Sequence, residues 1–271
     1  MSELFEMFSF AFMQRALVAG VLIAVAAALI GVTIVLKKNS MIGDGLSHVA
    51  FAVFAIAAVT GLAPMWVALP VVIIASFLVT YLSQSRRFSG DAAIAILSAS
   101  SLAIGTLVIS VIKGVNIDIN SYLFGSVLAV SWADLIVAAF FTLAVAVLYV
   151  LFFNKIFSVT FDGEFAKATG VRVKLYSAIL AAACAVVVVI GMRLLGALLI
   201  SSLIVFPTLI AKCLTKSFKG LVVVAVIVSV LAFIAGLILS YVLSAPTGAT
   251  VVVVNLGVLV ISSLIKIILK R

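Results

Sequence analysis

The segment 40-SMIGDGLSHVAFAVFAIAAVTGL-62 decides the fold, because it places the only histidine of the chain next to a long apolar run. Fourteen residues, 49–62, follow His48 in this segment, whereas a helix needs about 20 residues to cross the hydrocarbon core of a bilayer. A membrane-spanning helix must therefore begin near Met41. The sequence predicts a helix over residues 41–62 that carries both Asp44 and His48 within the membrane.

The composition of the whole chain favours the same class of protein. Of 271 residues, 67% are apolar and 9% are charged, and the mean hydropathy is +1.51, whereas soluble domains are roughly half apolar. Lipid offers no partner to backbone N–H and C=O groups, so only helices and closed barrels span it. Continuous apolar runs favour helices over a barrel. We therefore predict an all-α, polytopic integral membrane protein with a single transmembrane domain over residues 1–271.

Nine apolar segments are candidates for transmembrane helices, and eight to ten is the expected range. The segment 176–190 is short for a complete span. The nine segments are 16–36, 41–62, 65–82, 92–112, 135–153, 176–190, 194–213, 221–243 and 250–269.

The positive charges predict how these helices are oriented. If the N-terminus lies outside, fourteen of the 17 Lys and Arg residues fall in inner loops, and Arg15, Lys113 and Arg193 fall outside. Cytoplasmic loops of membrane proteins are enriched in Lys and Arg, so we predict a cytoplasmic C-terminus. This orientation accounts for the excess of basic residues, and no basic cluster with interleaved aromatics indicates a nucleic-acid partner.

Two connections are longer than the short turns between the other segments. On the outer side, residues 122–130 are apolar but too few to span, which predicts a re-entrant or interfacial helix. On the inner side, residues 154–174 mix charges with three phenylalanines and end in a helix stop at Gly170. We interpret this segment as a cytoplasmic helix that meets a partner or the membrane surface. A solvated amphipathic loop is the alternative.

Asp44 and His48 lie four residues apart, which places them on one helix face about 6 Å apart along the axis. An ionisable residue at membrane depth costs about 2.5 to 3.5 kcal/mol on insertion scales, so it normally has a partner or a pathway. Carboxylate and imidazole suit divalent Zn, Mn or Fe, and a symmetry-related second chain would supply two more ligands. The alternatives are a mutual hydrogen bond that offsets the burial, and an unwound start between Gly43 and Gly45 that lines a cavity.

Several segments resemble, in the same order, the metal-ion permease family of ABC importers. The segment 40-SMIGDGLSHVAF-51 contains the pattern G-D-x-x-S-H of that family. The resemblance covers most of the chain from Gln14 onward. The further similar segments are 91-DAAIAIL-97, 121-SYLFGSVLAVSWAD-134, 161-FDGEFAKATGV-171 and 193-RLLGALLISSLIVFP-207.

The resemblance implies a permease subunit of an ATP-driven importer of Zn, Mn or Fe ions. It implies a homodimer with a translocation path at the dimer interface, separate cytoplasmic ABC ATPase subunits, and an extracellular or periplasmic metal-binding protein. Such a permease lies in the plasma or inner membrane of a prokaryote, in contact with lipid. The metal ion is cargo, and no cofactor is bound permanently. Asp44 and His48 map onto the residues that line the path.

The resemblance also assigns the inner segment 161–171 to the family's coupling helix, which docks in a groove of the ATPase. Gly163 stands where the family often has a proline, which leaves the start of this helix open. On the outer side, Asp118 and Tyr122 are candidates to face the external vestibule, and a solvated loop acid is the alternative for Asp118. The residues assigned to ATPase coupling are Phe161, Asp162, Glu164, Phe165 and Gly170.

Two other functions compete with a permease. A proton-coupled secondary metal transporter would use Asp44 and His48 as a proton relay, but it has no need of a cytoplasmic docking helix. An intramembrane metallohydrolase fails on ligand count, since catalytic zinc usually has three protein ligands and the chain contains one histidine. The chain also lacks a G-x-x-x-x-G-K-[ST] motif, so ATP-driven work requires a partner chain. We predict a transport subunit that is not itself an enzyme.

Overall fold

The computed structural model describes residues 9–83, 90–111, 125 and 130–268, and this part of the chain folds into helices without strands. Nine of the helices in these ranges are long and apolar enough to cross a membrane. The eleven helices of the described ranges are α1 (Ala11–Leu36), α2 (Ile42–Thr60), α3 (Pro64–Ser83), α4 (Gly90–Val111), α5 (Trp132–Leu151), α6 (Phe153–Phe161), α7 (Gly163–Ala168), α8 (Val173–Leu195), α9 (Ala197–Leu214), α10 (Phe218–Leu243) and α11 (Thr247–Ile268).

The predicted all-α membrane fold is confirmed, but one of the predicted segments is too short. The short segment expected at 176–190 is the 23-residue helix α8, which is long enough for a complete span. The helix continues past Ile190 to Leu195, and the charge of Arg193 near its end is paired with Asp134 of α5 at 3.0 Å. It ends at Gly196, whose φ of 92° separates α8 from α9. The predicted interfacial helix at 122–130 lies almost entirely outside the described residues.

Helices α1, α2, α8 and α9 form the centre of the bundle. More than half of the residues in the most apolar stretch of each are buried, whereas the corresponding share in α4, α5 and α11 is less than a third. Exposed apolar side chains on a membrane span face lipid or another protein chain, because water does not reach them there. The helix that carries Asp44 and His48 is therefore central, and α4, α5 and α11 form part of the perimeter.

The contacts at the helix ends agree with the predicted alternation of helix directions. At one end of the bundle, Lys37 after α1 donates a hydrogen bond from Nζ to Oγ of Ser177 in the first turns of α8, at 3.2 Å. At the other end, Arg193 of α8 meets Asp134 in the first turn of α5. Helix α8 thus runs opposite to both α1 and α5, as its even place among the predicted spans and their odd places require.

Close approaches at two glycines hold α9 against α1 and α2. A Cβ atom built on Gly31 of α1 would overlap the backbone carbonyl of Ile204 in α9, and one built on Gly43 of α2 would lie 2.9 Å from Cδ1 of the same isoleucine. Small residues at helix contacts in membranes let the backbones approach each other closely. Ile204 therefore packs directly beside the residue that precedes Asp44.

We expect Gly31→Ala to lower the melting temperature of the purified protein. The added methyl group meets a backbone oxygen, and overpacking of this kind costs about 1 to 3 kcal/mol. This exceeds the gain of about 1 kcal/mol that alanine brings over glycine within a helix. The matched control is Gly257→Ala in α11, where nothing lies within 4 Å of the added atom, and it should melt at or above the wild-type temperature. An unchanged melting temperature for Gly31→Ala would contradict the close contact of α1 with α9.

Candidate metal-ion site and coupling surface

Asp44 and His48 lie in the first two turns of α2, and the helix is regular from Ile42 onward. The backbone N–H of Gly45 donates to the carbonyl of Met41 at 3.0 Å, as an α-helix requires. Of the two alternatives for the backbone here, the structure therefore has the regular helix and not the unwound start. Asp44 lies in the first turn, where the unpaired N–H groups of the helix favour a negative charge.

The glycines on either side of Asp44 provide room for neighbouring helices. Gly43 faces Ile204 of α9, and a Cβ atom on Gly45 would lie 2.7 Å from Cγ2 of Ile94 in α4. A larger side chain at either position would require the facing isoleucine side chain to shift. The two glycines therefore let α2 pack closely against α9 and α4 on either side of Asp44.

The side chains of Asp44 and His48 point the same way without forming a hydrogen bond to each other. Nε2 of His48 lies 3.7 Å from Oδ2 of Asp44, which is beyond hydrogen-bond distance. Nδ1 of His48 is buried and has no hydrogen-bond partner among the described residues. This geometry does not support a mutual hydrogen bond that offsets the burial of the pair. Two atoms that each lie about 2.1 Å from one divalent ion are roughly 3 to 4 Å apart, so the separation suits a shared ion.

The pair opens toward the outside of the single chain. The side chain of Asp44 is 50% exposed, that of His48 is 18% exposed, and Met41, one turn earlier, is exposed as well. An exposed carboxylate on a membrane span requires a water-filled path or a second chain beside it. In the part of the chain that the structure describes, no three His, Cys, Asp or Glu side chains come together. Within these residues, Asp44 and His48 are therefore a pair and not part of a larger cluster of such side chains.

The inner segment folds into two short helices, α6 and α7, that meet at Asp162. This residue is extended, and its Oδ1 accepts a hydrogen bond from the backbone N–H of Phe165 at 2.9 Å, which caps α7. Gly163 is the first residue of α7, the position at which proline is favoured in helices, so the cap at Asp162 sets the start of the helix without a proline. The predicted helix stop is confirmed, since Gly170 has a φ of +83° and its N–H donates to the carbonyl of Lys167.

Phenylalanines of this segment lie on the surface in two different settings. Phe161 is exposed, but its ring also contacts those of Phe157 and Phe218 at centroid distances of 5.0 and 5.8 Å. Phe165 is 60% exposed and contacts no other aromatic ring among the described residues. Ala166, next to it, is fully buried and anchors α7 to the bundle. The structure therefore presents Phe165 as an unpartnered apolar side chain on an anchored helix, together with Asp162 and Glu164.

The sequence of residues 9–266 matches the family described as the ABC 3 transport family. The chain belongs to the ABC 3 transport family. The residues matched to the family include all nine candidate membrane helices of the described ranges, except for the last two residues of α11. The chain is thus a multi-pass membrane protein and a component of an ABC transporter, as the resemblance predicted.

Relatives of this ABC 3 family member include transport proteins named for manganese and for zinc. The manganese transport system membrane protein MntC of Halalkalibacterium halodurans is 30% identical over 249 residues, which cover 92% of this chain and 85% of that protein. The high-affinity zinc uptake system membrane protein ZnuB of Haemophilus influenzae is 29% identical over 247 residues, which cover 91% of this chain and 95% of that protein.

The fold is similar to that of a chain in the solved structure of PsaBC from Streptococcus pneumoniae in complex with Fab. The TM-score is 0.85 and the sequence identity is 28%, with 96% of this chain and 94% of that chain covered. The similarity therefore extends over nearly the whole ABC 3 family member.

One polar cluster was not predicted from the sequence, and it lies at the end of the bundle opposite Lys37 and Ser177. Asp134 is buried, forms a reciprocal capping box with Ser131 at the start of α5, and pairs with Arg193. Arg193 also donates to Sδ of Met65 at 3.3 Å. The cluster joins α3, α5 and α8. The spacing S-x-x-D in 131–134 is close to a capping-box pattern and was a usable signal for the start of α5.

Two predicted site residues cannot be placed in this cluster or elsewhere. Asp118 and Tyr122, the candidates for an external vestibule, lie outside the described residues.

Proposed function

We propose that this chain is the permease subunit of an ATP-driven importer of divalent transition-metal ions, Zn, Mn or Fe, over one transmembrane domain of residues 1–271. The observation that carries the proposal is the pair Asp44 and His48, which lies on a central helix at 3.7 Å without a hydrogen bond between its members. The relatives named for manganese and zinc transport support the same class of cargo. The ion is a substrate in transit and not a resident cofactor.

The incomplete ligand set favours a homodimer. Most homo-oligomers are two-fold symmetric, and a two-fold axis brings the same patch of both chains together. If the exposed face of Asp44 meets its copy, two carboxylates and two imidazoles surround one ion, which is a suitable set for a divalent transition metal. The proposed translocation path therefore runs between two copies of α2, beside Asp44 and His48 of each chain.

The segment of α6 and α7 is the proposed docking surface for a separate ABC ATPase. An exposed phenylalanine on an anchored helix is suited to bind in a groove of a partner. The exposed side chains that form such a surface here are Phe161, Asp162, Glu164 and Phe165. The distribution of Lys and Arg supports a cytoplasmic location of this surface and of the C-terminus. A metal-binding protein outside the cell is proposed to deliver the ion, near Asp118 and Tyr122.

A proton-coupled carrier with Asp44 and His48 as relay is not favoured, because the chain belongs to an ABC transport family and carries an exposed helix suited to docking.

An uptake assay that identifies the source of energy tests this proposal. In proteoliposomes that contain the permease and its ATPase, uptake of radioactive manganese, zinc or iron should require ATP on the ATPase side and should persist when a protonophore removes the proton gradient. The control is the same vesicle with an ATPase variant that binds but does not hydrolyse ATP. Uptake driven by an imposed proton gradient without ATP would establish the secondary carrier instead.

A further inference from the structure

A basic cleft lies between the ends of α9 and α11. Lys212 is in the last turn of α9, Lys216 follows that helix, and Lys266 is in the last turn of α11. All three lysines are exposed, and with Thr215 they line a cleft of about 490 Å³. The cleft is separate from the face of α2 that carries Asp44, and none of the proposed roles in transport involves it.

The charges of the cleft are not compensated within the described part of the chain. No acidic side chain of that part lines the cleft, and none of the three lysines forms an ion pair with a described carboxylate. Like charges held close together destabilise each other. The enrichment of Lys in cytoplasmic loops explains why lysines lie at these helix ends, but it does not explain why three of them converge on one cleft from two helices.

The surroundings of the cleft place it at the boundary between lipid tails and headgroups. Helix α11 is the least buried of the candidate spans in the described ranges. Next to Lys266 in the sequence, Ile265 and Ile267 are exposed, and Leu214 is exposed beside the other two lysines. Such apolar side chains face lipid tails on a membrane span, while the lysine ammonium groups extend to the polar headgroup region.

We propose that this cleft binds the phosphate group of an anionic phospholipid of the cytoplasmic leaflet. Basic pockets between transmembrane helices on that side of a membrane suit acidic headgroups. Each lysine offers three N–H donors to phosphate oxygens, and the exposed isoleucines of α11 accommodate the acyl chains. The bound lipid connects the ends of α9 and α11, and α9 is the helix whose Ile204 packs beside Gly43 and thus beside the proposed ion site.

Lipid binding by the full-length, delipidated protein tests this proposal directly. The protein is placed in nanodiscs of phosphatidylcholine that contain increasing amounts of phosphatidylglycerol, and the anionic lipid retained per chain is counted by native mass spectrometry. The test variant carries Lys212→Gln, Lys216→Gln and Lys266→Gln. Near an anionic surface each lysine contributes a free energy that corresponds to about a fivefold change in affinity. The triple variant should therefore bind phosphatidylglycerol on the order of 100-fold more weakly.

The matched control removes three exposed positive charges from another inner segment, through Lys167→Gln, Arg172→Gln and Lys174→Gln. It should bind the lipid as the wild-type protein does, and replacement of the three cleft lysines by arginine should preserve binding. Equal loss in the test and control variants would show an effect of net charge alone and overturn the proposal. So would full competition by inorganic phosphate at concentrations equal to that of the lipid, because the cleft would then be a site for small anions.

Discussion

His48→Ala and Asp44→Ala should each abolish metal-ion uptake while the chain still inserts and folds. The two side chains form no hydrogen bond with each other. Removing either one therefore breaks no hydrogen bond of the other within the chain. In a two-fold dimer each substitution removes two of four ligands. Loss of residues that merely support metal ligands typically costs about 10- to 100-fold in affinity or activity, so loss of the ligands themselves should exceed 100-fold. Uptake of manganese, zinc and iron at low external concentration is the measurement.

A control for this experiment lies on the same helix. Ile56→Ala removes an exposed apolar side chain of α2 that offers no ligand atom, and it should retain uptake within a few-fold of wild type at equal expression. Wild-type uptake of all three metals by well-expressed His48→Ala would show that the pair has a structural role only.

Phe165→Asp should uncouple transport from ATP hydrolysis. The side chain is exposed on a helix anchored by Ala166, and an aromatic that fills a groove of a partner typically contributes at least about 2 kcal/mol to binding, or roughly 30-fold in affinity. A buried carboxylate without a partner adds a further penalty. Phe165→Asp should therefore lose co-purification with the ATPase and lose ATP-dependent uptake. Its melting temperature should stay that of the wild type.

Phe165→Leu is the matched control, because it keeps an apolar side chain of similar length and should preserve most of the coupling. The same change at Phe161 is less informative, since its ring also packs on Phe157 and Phe218 and aspartate there would disturb the chain itself. Normal co-purification and normal transport by Phe165→Asp would place the ATPase contact elsewhere.

The start of α2 could be predicted from the sequence because length alone required it. The residues after His48 are too few for a span, and the observed helix, Ile42–Thr60, begins one residue after the predicted start. The end of α7 could also be predicted from the sequence, because Gly170 takes the positive φ that favours glycine at a helix stop. In both cases the signal lies within the segment itself and requires no contact with a distant part of the chain.

The rest depends on contacts between residues that are distant in the sequence. The length of α8 could not be predicted, because the charge of Arg193 is tolerated near the end of the span through its pairing with Asp134. The convergence of Lys212 and Lys266 on one cleft is likewise a product of helix packing. The spacing of Asp44 and His48 predicted a shared face, but only the side-chain rotamers distinguish a mutual hydrogen bond from a 3.7 Å gap.

The most direct test of the proposed ion site is the coordination of zinc bound to the reconstituted permease, measured by X-ray absorption spectroscopy together with the ratio of ions to chains. Asp44 and His48 from two chains predict one ion for every two chains, with two imidazole nitrogens and the remaining ligands oxygen. His48→Ala should remove both nitrogens at once. One ion per chain, or a bound ion without imidazole ligands, would contradict a site shared between two copies of α2.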